Sequence, residues 1–190
     1  MLVPVRNHPD GGVGPMVVSQ ANVAAFSEVY RANVTGVYRF CLSQLRNPTD
    51  AEDVTAEVFA SAFSAYQRTR VEPDNVRAWL FRIARNAVVD HHRRDRRRRL
   101  LHLSLNGTAE HDSSVDIERD VAVRDELRYV LSQMRRLRQR DRLLLGLRVA
   151  ARQTYAEIAE TLGMTEHAAT VATRRAMERL RLLCEQGRTA

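Results

Sequence analysis

Apolar residues recur along most of this chain at the three- and four-residue spacing of amphipathic helices. Five of them mark a first predicted helix over residues 22–46: Phe26, Val29, Tyr30, Val37 and Leu45. The Asn47-Pro48 pair ends this pattern, because proline does not continue a helix. Thr49 or Asp50 is predicted to cap a second helix that runs to about residue 68.

A third helix is predicted from Pro73 or Asp74 through an arginine-rich run that ends at Arg99. Its buried face is marked by Leu80, Ile83, Ala84, Ala87 and Val88. A second stripe at helical spacing lies roughly a third of a turn away. It consists of Trp79, Arg82, Asn86, Asp90 and Arg93. A helix that only covers a core needs no tryptophan beside arginines, so this stripe indicates a binding surface. For Trp79, burial in the core is an equal alternative.

The C-terminal half contains shorter helical patterns after a break. Residues 103–118 combine Asn-Gly, Ser-Ser and scattered acids with few apolar residues, which is typical of a linker. Four helices are predicted beyond it, over about 119–135, 139–150, 154–162 and 166–184. Strand-like alternation is almost absent. The expected fold class is therefore all-α, with two small helical domains joined by a flexible acidic linker.

Residues 154–181 have the pattern of a helix-turn-helix. Its first helix has an apolar face made of Tyr155, Ile158, Ala159 and Leu162, with Ala156 small enough for close helix contact. Gly163 suits the left-handed residue that ends a helix, and Thr165 suits the N-cap of the next. Four alanines and a leucine are expected to pack the second helix: Ala168, Ala169, Ala172, Ala176 and Leu180. In such motifs the start of the second helix contacts base edges. An ordinary helical hairpin is the alternative.

Charge changes sign in blocks. All 30 basic residues are arginine and the net charge is +7; a GC-rich genome explains the absence of lysine. Residues 48–60 carry four acids and no base, residues 82–99 a net +6, residues 108–126 a net −5, and residues 127–190 a net +7. A chain that needed charge only for solubility would intersperse the signs. Arginine also binds phosphates and base edges bidentately, so the basic blocks favour nucleic acid as a partner.

Other function classes find little support in the sequence. Cys41 and Cys184 lie far apart, with neither metal-ligand spacing nor a disulfide framework. The four histidines that an enzymatic metal site would use are His91, His92, His102 and His111. Adjacent histidines on a helix point to different sides, which argues against such a site. No apolar run approaches the length of a membrane span. We therefore expect no cofactor, no metal, no enzymatic activity and no transmembrane segment.

Three stretches occur in an order that is specific to one family. They are DAEDVTAEVFASAF at residues 50–63, VRAWLFRIARNAVVDHHRR at 76–94 and YAEIAETLGMTEHAATVATRRAMERLR at 155–181. Together they resemble an extracytoplasmic-function (ECF) RNA polymerase sigma factor of the sigma-70 family, a small bacterial initiation factor with only region-2 and region-4 domains. The resemblance implies a disordered tail (1–20), region 2 (21–99), a linker (100–122), region 4 (123–184) and a C-terminal tail (185–190).

The resemblance implies a role for the acidic second helix and for the third. Five residues would contact the clamp helices of the largest subunit of core polymerase: Asp50, Glu52, Asp53, Glu57 and Phe59. The alternatives are a solvated helix start, since acids suit a first turn, and a core position for Phe59. Six residues would contact the −10 element: Trp79, Arg82, Arg85, Asn86, Arg93 and Arg94. The run 96–99 would bind phosphates or form a solvated face.

The helix-turn-helix would contact the −35 element and the polymerase flap. The residues implied are Tyr155, Thr165, Glu166, His167, Thr170, Thr173, Arg174 and Arg175. The family commonly has a lysine and an arginine where this chain has Thr170 and Ala172, so a weaker or altered −35 preference is expected. The acidic linker would approach the active-site cleft or act as a plain tether.

The function implied by the resemblance is that of a sigma factor: it binds core polymerase, recognises both promoter elements and promotes DNA melting. Its partners would be core polymerase and promoter DNA, and an anti-sigma factor is common in the family. The implied location is cytoplasmic, and nucleoid-associated in the holoenzyme. The main rival is a stand-alone helix-turn-helix regulator, which would leave the acidic helix and the Trp/Arg stripe without a purpose.

Overall fold

The structure is a computed structural model that describes residues 20–69, 75–103 and 121–189. Residues 1–19 of the predicted N-terminal tail and residues 104–120 of the predicted linker lie outside these ranges, whereas the linker's predicted ends, 100–103 and 121–122, are helical. The helices are α1 (Gln20–Leu45), α2 (Pro48–Thr69), α3 (Val76–Leu103), α4 (Val121–Met134), α5 (Gln139–Leu145), a π-helix (Gly146–Ala150), α6 (Tyr155–Leu162) and α7 (Glu166–Thr189). No strand occurs within the described ranges, and the all-α fold class is confirmed.

Two asparagines cap the helices of the N-terminal half. Asn47 accepts a hydrogen bond from the backbone N–H of Asp50 at 3.3 Å, so α2 begins at Pro48 rather than after Thr49 or Asp50. Proline suits this first helical position because its missing N–H would have no helical partner there. Asn75 accepts from the N–H of Ala78 at 3.1 Å in the same way, and α3 begins at Val76. Helix α3 extends to Leu103, beyond its predicted end.

The turn of the predicted helix-turn-helix has the expected geometry. Gly163 is left-handed, with φ 66° and ψ 45°, and ends α6. Thr165 accepts from the N–H of Ala168 at 3.2 Å and caps α7. Both sequence predictions are confirmed. A capping box that they did not include fixes the start of α6, where Thr154 and Glu157 each accept from the other's backbone N–H. Helix α7 extends to Thr189, five residues beyond its predicted end.

Helices α1, α2 and α3 pack as a three-helix bundle, which we call the N-terminal bundle. Its interior is made of large apolar side chains, among them Val37, Phe40, Val54, Val58, Leu80 and Phe81. The rings of Phe40 and Phe81 meet edge to face with centroids 5.8 Å apart. Since each buried side chain of this size contributes about 1.5–3 kcal/mol, the bundle can hold α2 and α3 at a fixed spacing.

Helices α4 to α7 and the π-helix form the C-terminal unit. A small cluster of Leu137, Leu145 and Ala176 packs α7 against α5. One guanidinium nitrogen of Arg179 donates to both carboxylate oxygens of the buried Asp141, each at 3.0 Å. This ion pair also holds α7, the second helix of the helix-turn-helix, against α5.

The two units share one hydrophobic core. Leu144, Leu147 and Ile158 belong to the same buried cluster as Leu80 and Phe81 of α3. Helix α6 packs against α3, and the π-helix packs against α1. The amide of Gln44 in α1 donates to the backbone carbonyl of Arg142 in α5 at 3.1 Å. The sequence predicted two domains but not their direct contact.

Candidate functional site

The candidate site is a groove of about 590 Å³ between α2 and α3. Because both helices belong to the N-terminal bundle, their outer faces form its walls. The lining residues are Glu57, Ser61, Ile83, Asn86, Ala87, Asp90, Arg93, Arg94 and Arg97. The groove thus brings one predicted polymerase-binding residue together with three residues predicted for the −10 element.

An ion pair joins the two walls of the groove. Arg94 donates two hydrogen bonds to the carboxylate of Glu57, at 3.2 and 2.9 Å. The hydrogen bond from Arg94 holds the pKa of Glu57 below its ordinary value, opposed by partial burial and aided by the charges of Arg94 and His91. Both side chains are about half exposed, so water screens the pair. Two charged residues that the family resemblance assigns to different partners therefore pair with each other here.

Other arginines of α3 also bond within the protein. Arg85 donates to the side-chain oxygen of Asn86 at 3.3 and 3.0 Å. Arg93 lies 3.5 Å from Asp90, one turn earlier in the same helix. Arg82 reaches across to the backbone carbonyl of Glu160 in α6 at 2.9 Å. Polar contacts thus hold three guanidinium groups along the exposed side of α3.

Trp79 is partly buried and packs against the core. This position agrees with the alternative of burial in the core, and the indole ring is not fully exposed for base stacking. Arg96, Arg97 and Arg98 are exposed on the last turns of α3. Cations at a helix C-terminus also interact favourably with the helix dipole, so this stretch offers positive charge to phosphates.

The predicted polymerase-binding residues of α2 divide into an exposed and a buried set. Glu52 and Asp53 are exposed. Asp50 is partly exposed and has a carboxylate oxygen 3.6 Å from the Nε2 of His91. Phe59 is only 6% exposed and meets Tyr30 edge to face at 4.7 Å. Its position is therefore the core alternative, and the carboxylates form the accessible part of this face.

The helix-turn-helix presents only part of its predicted contact set. Glu166, His167, Arg174 and Arg175 are exposed. The hydroxyl of Thr170 donates to the carbonyl of Glu166 at 2.9 Å, and Tyr155 lies beneath Arg148, whose guanidinium carbon is 4.7 Å from the ring centroid.

Three sequence predictions for this motif are wrong in the structure. Thr173 is 2% exposed, which places it away from the groove-facing side. Ala168 and Ala156, expected to pack between helices, are both exposed. The register explains Ala168 and Thr173: Ala169 and Ala176 form the buried side of α7 at 0% exposure, and Thr173 lies between them at helical spacing.

The histidine pair does not form a metal-ligand set. The rings of His91 and His92 are 6.3 Å apart and nearly perpendicular. Burial lowers the pKa of His92, and the nearby charges of His91, Arg142 and Arg46 lower it further against the effect of Asp95. Within the described ranges, no three or more His, Cys, Asp or Glu side chains are grouped as metal ligands would be. Nor does any helix there combine the length and apolar character needed to cross a membrane.

Comparison with known proteins identifies the family. A family model for sigma-70 region 2 matches residues 29–98, a range that contains α2, most of α1 and α3, and the residues that line the groove. ECF RNA polymerase sigma factor ShbA of Streptomyces griseus is 33% identical over 161 residues, covering 78% of this chain and 81% of the relative. The chain belongs to the ECF RNA polymerase sigma factors. ECF sigma factor SigM of Bacillus subtilis is 27% identical over 163 residues, 84% of this sigma factor and 95% of SigM.

Solved structures share the fold of this sigma factor. CnrH, in complex with the cytosolic domain of CnrY, has a TM-score of 0.63 and 25% identity, and covers 88% of this chain and 94% of its own. The sigma factor RpoE, in complex with the anti-sigma factor NepR from Bartonella quintana, has a TM-score of 0.65 and 22% identity, with 85% and 97% coverage. The expected two-domain helical architecture is thereby confirmed.

Sequence patterns missed the residues that join the two domains of this sigma factor. They are Gln44, Asn75, Arg77, Gly146, Glu157, Glu160 and Thr161. Their partners lie about 70 to 100 positions away along the chain, and helical periodicity carries no information at that separation. The capping box of α6 was also missed, although its Thr154-x-x-Glu157 spacing is a signature visible in the sequence.

Proposed function

We propose that this ECF sigma factor docks on core polymerase through α2, captures the −10 element along α3, contacts the −35 element with α7 and promotes promoter melting. Its family establishes a role in transcription initiation as a non-enzymatic specificity factor. The observation that carries the finer proposal is the groove between α2 and α3. The α2 wall continues into an exposed acidic face, and the α3 wall carries a row of arginines.

The polymerase contact is proposed for the exposed carboxylates of α2. Glu52 and Asp53 face solvent near the start of a helix that the bundle core fixes in place. Acidic groups presented on a rigid helix are suited to electrostatically steered docking on a basic partner. We assign Phe59 a supporting role, because its burial against Tyr30 positions the backbone of α2.

The −10 contact is proposed for Asn86 together with Arg85, Arg93 and Arg94. Melting exposes unpaired bases and a flexible phosphate backbone, which cationic grooves bind. Asn86 is exposed among these arginines on α3, and its side-chain amide can hydrogen-bond a base edge. Trp79 is proposed to anchor α3 from its partly buried position. Stacking on an aromatic ring contributes roughly 1–3 kcal/mol per base, and only the exposed part of this indole is available for it.

The −35 contact is proposed for the exposed residues at the start and middle of α7. Glu166, His167, Arg174 and Arg175 are accessible, while Thr173 is excluded by its burial. Thr170 already bonds its own helix backbone, and Ala172 has no polar group. We propose that phosphate contact by the arginines outweighs base readout here, so the −35 preference differs from that of relatives with basic residues at these positions.

Run-off transcription with core polymerase over a library of randomised promoters tests this function. The chain should start specific transcripts with core enzyme alone, and the selected templates should share two short elements at a fixed separation. A stand-alone regulator would bind duplex DNA but give no transcript beyond that of core alone, and this outcome would contradict the proposal. Loss of −35 enrichment with retained −10 enrichment would contradict only the assignment for α7.

An inhibitory protein partner is also proposed. The neighbour CnrH was solved with the cytosolic domain of CnrY bound, and this chain has the same two-domain fold. A partner that covers the α2 and α3 faces would block both proposed contacts at once. Co-expression of this chain with the product of an adjacent gene, followed by gel filtration and run-off transcription, tests it. A stable complex that still initiates transcription would contradict inhibition.

A further inference from the structure

We propose that a group of cationic side chains, where the end of α1 meets α3 and α5, forms a binding site for a phosphate-bearing anion. We call this group the cation cluster, and it consists of Arg46, His92, Arg135 and Arg142. Arg46 directly follows α1, His92 lies in α3, Arg135 directly follows α4, and Arg142 lies in α5. The surfaces proposed above for polymerase and promoter DNA use none of these four residues, so the site goes beyond the proposed function.

Close packing holds the end of α1 against α5. The side-chain amide of Gln44 is buried and donates to the backbone carbonyl of Arg142 at 3.1 Å. A Cβ atom at Gly146, just after α5, would lie only 2.3 Å from the same amide nitrogen. Arg46 follows Gln44 by two residues, so these contacts fix the backbone of Arg46 and of Arg142. The cluster is therefore built into the fold.

The members of the cation cluster repel one another. Burial lowers the pKa of Arg46, and the charges of Arg135 and Arg142 lower it further. Burial also lowers the pKa of His92, and nearby cations lower it further against the effect of Asp95. Those cations are His91, Arg142 and Arg46. Because an arginine side chain stays protonated at any ordinary pH, the repulsion persists in the folded chain, and a bound anion would relieve it.

The arginines of the cluster have no carboxylate partner within the ranges that the structure describes. The guanidinium of Arg142 donates instead to the backbone carbonyl of Leu137 at 2.6 Å. Arginines elsewhere on the chain do pair with acids, as Arg94 does with Glu57 and Arg179 with Asp141. Partly buried charges are ordinarily paired, so three arginines that meet without an acid favour an anion from outside the chain.

The backbone at Arg46 provides a second, independent observation. Arg46 is left-handed, with φ 58°, and its N–H donates to the carbonyl of Leu42 at 2.8 Å to end α1. Glycine or asparagine ordinarily occupies this position after a helix, because a longer side chain is strained there. An arginine needed only to end the helix would be a poor choice. A requirement for its guanidinium in the cluster accounts for the strain.

The chemistry of the cluster favours phosphate. Guanidinium groups bind phosphate oxygens through bidentate, charge-assisted hydrogen bonds, and a group with three arginines suits an anion with more than one negative charge. Two sources share this chemistry: a small phosphorylated molecule and the phosphate backbone of a nucleic acid. Because the cations come from both helical units of the chain, a bound anion should also stabilise the fold against unfolding.

The test measures the binding of inorganic pyrophosphate to the full chain by calorimetry, at constant ionic strength, together with the thermal unfolding midpoint. Arg46→Gly removes one guanidinium and relieves the left-handed strain, so this variant should fold at least as stably as the parent. Arg135→Gln removes another guanidinium at an exposed position. Arg140→Gln is the matched control, because it removes the same charge from an exposed position of α5 outside the cluster. The ring resonances of His92 in NMR spectra report where the anion binds.

Pyrophosphate should bind the parent and Arg140→Gln equally well and raise both unfolding midpoints. Arg46→Gly and Arg135→Gln should each bind about tenfold more weakly, as expected for the loss of one charge-assisted hydrogen bond. Saturation should raise the pKa of His92 in the parent, because a nearby anion favours the imidazolium form. No binding to the parent, equal affinity in all four chains, or an equal loss in Arg140→Gln would overturn the site.

A random-sequence single-stranded 20-mer distinguishes the two sources of phosphate. If the 20-mer displaces pyrophosphate from the parent, and Arg46→Gly weakens its binding about as much, the site holds a nucleic-acid backbone. If pyrophosphate and the 20-mer bind together, the site holds a small phosphorylated molecule. Both results support the site. Displacement by the 20-mer without any effect of Arg46→Gly on either ligand would contradict it.

Discussion

At the scale of single residues, the salt bridge between Glu57 and Arg94 links the two faces of the N-terminal bundle. Glu57 lies on the helix proposed to meet polymerase and Arg94 on the helix proposed to meet DNA. Any partner that engages one of them competes with the other. The pair is therefore a direct physical connection between the two binding events, although screening by water keeps its strength modest.

Substitution of Arg94 by glutamine should raise the pKa of Glu57 towards that of an ordinary glutamate. The hydrogen bond from Arg94 is the main cause that lowers it, so the ion pair exists above the lowered pKa and is lost as the pH falls through it. The measurement is a carbon-13 NMR titration of the Glu57 carboxyl. Arg93→Gln, which alters a neighbouring pair with Asp90, is the control. Equal titration curves in the parent chain and Arg94→Gln would refute the pairing.

The two cysteines should differ sharply in reactivity. Burial raises the pKa of Cys41 to about 11, so at pH 8 only about one molecule in a thousand carries a thiolate, which is the reactive form. Cys184 is partly exposed. A chromogenic disulfide reagent should therefore titrate one thiol in the native chain and two in denaturant, and Cys184→Ser should abolish the native reaction. Rapid labelling of both thiols in the folded chain would show that the N-terminal bundle opens.

At the scale of helices, periodicity predicted the buried faces well and the ends less well. Leu80, Ala84 and Val88 of α3 are buried as their spacing required. The starts of α2 and α3 depend on which nearby Asn, Thr or Asp bonds the first free N–H groups. Several residues there could do so, and the sequence does not rank them. Burial of Thr173 and exposure of Ala168 depend on the exact direction in which α7 packs, which spacing alone leaves open by one position.

The left-handed turn at Gly163 offers a prediction about the link between α6 and α7. No atom lies within 4 Å of a Cβ built at this glycine, so a substitution costs only backbone strain. Gly163→Ala should destabilise the chain by about 1 kcal/mol, and Gly163→Asn by less, because asparagine tolerates this conformation. Urea unfolding followed by circular dichroism measures both. An alanine variant as stable as the parent would contradict the turn geometry.

At the scale of the whole molecule, the order of motifs was sufficient to predict the family and the two helical domains. It was insufficient to predict how the domains meet, because those contacts join residues far apart in sequence, and several of them end on backbone carbonyls that any residue supplies. Arg82 shows this: it lies on the stripe that the spacing of α3 predicted, and in the structure its guanidinium donates to the backbone carbonyl of Glu160 in α6. The sequence thus predicted which residues belong to the candidate site, and only the fold showed which of their side chains already bond within the protein.

The central claim is that one small bundle holds polymerase with the carboxylates of α2 and separated DNA with the arginines of α3. It is tested by 2-aminopurine fluorescence in the −10 region of a promoter selected from the randomised library, measured beside the affinity for core polymerase. Glu52→Arg with Asp53→Arg should lose both core binding and the fluorescence rise, whereas Arg85→Ala with Arg93→Ala should keep core binding and lose the rise. Core binding that survives the reversed carboxylates, or strand opening that survives the neutralised arginines, would contradict it.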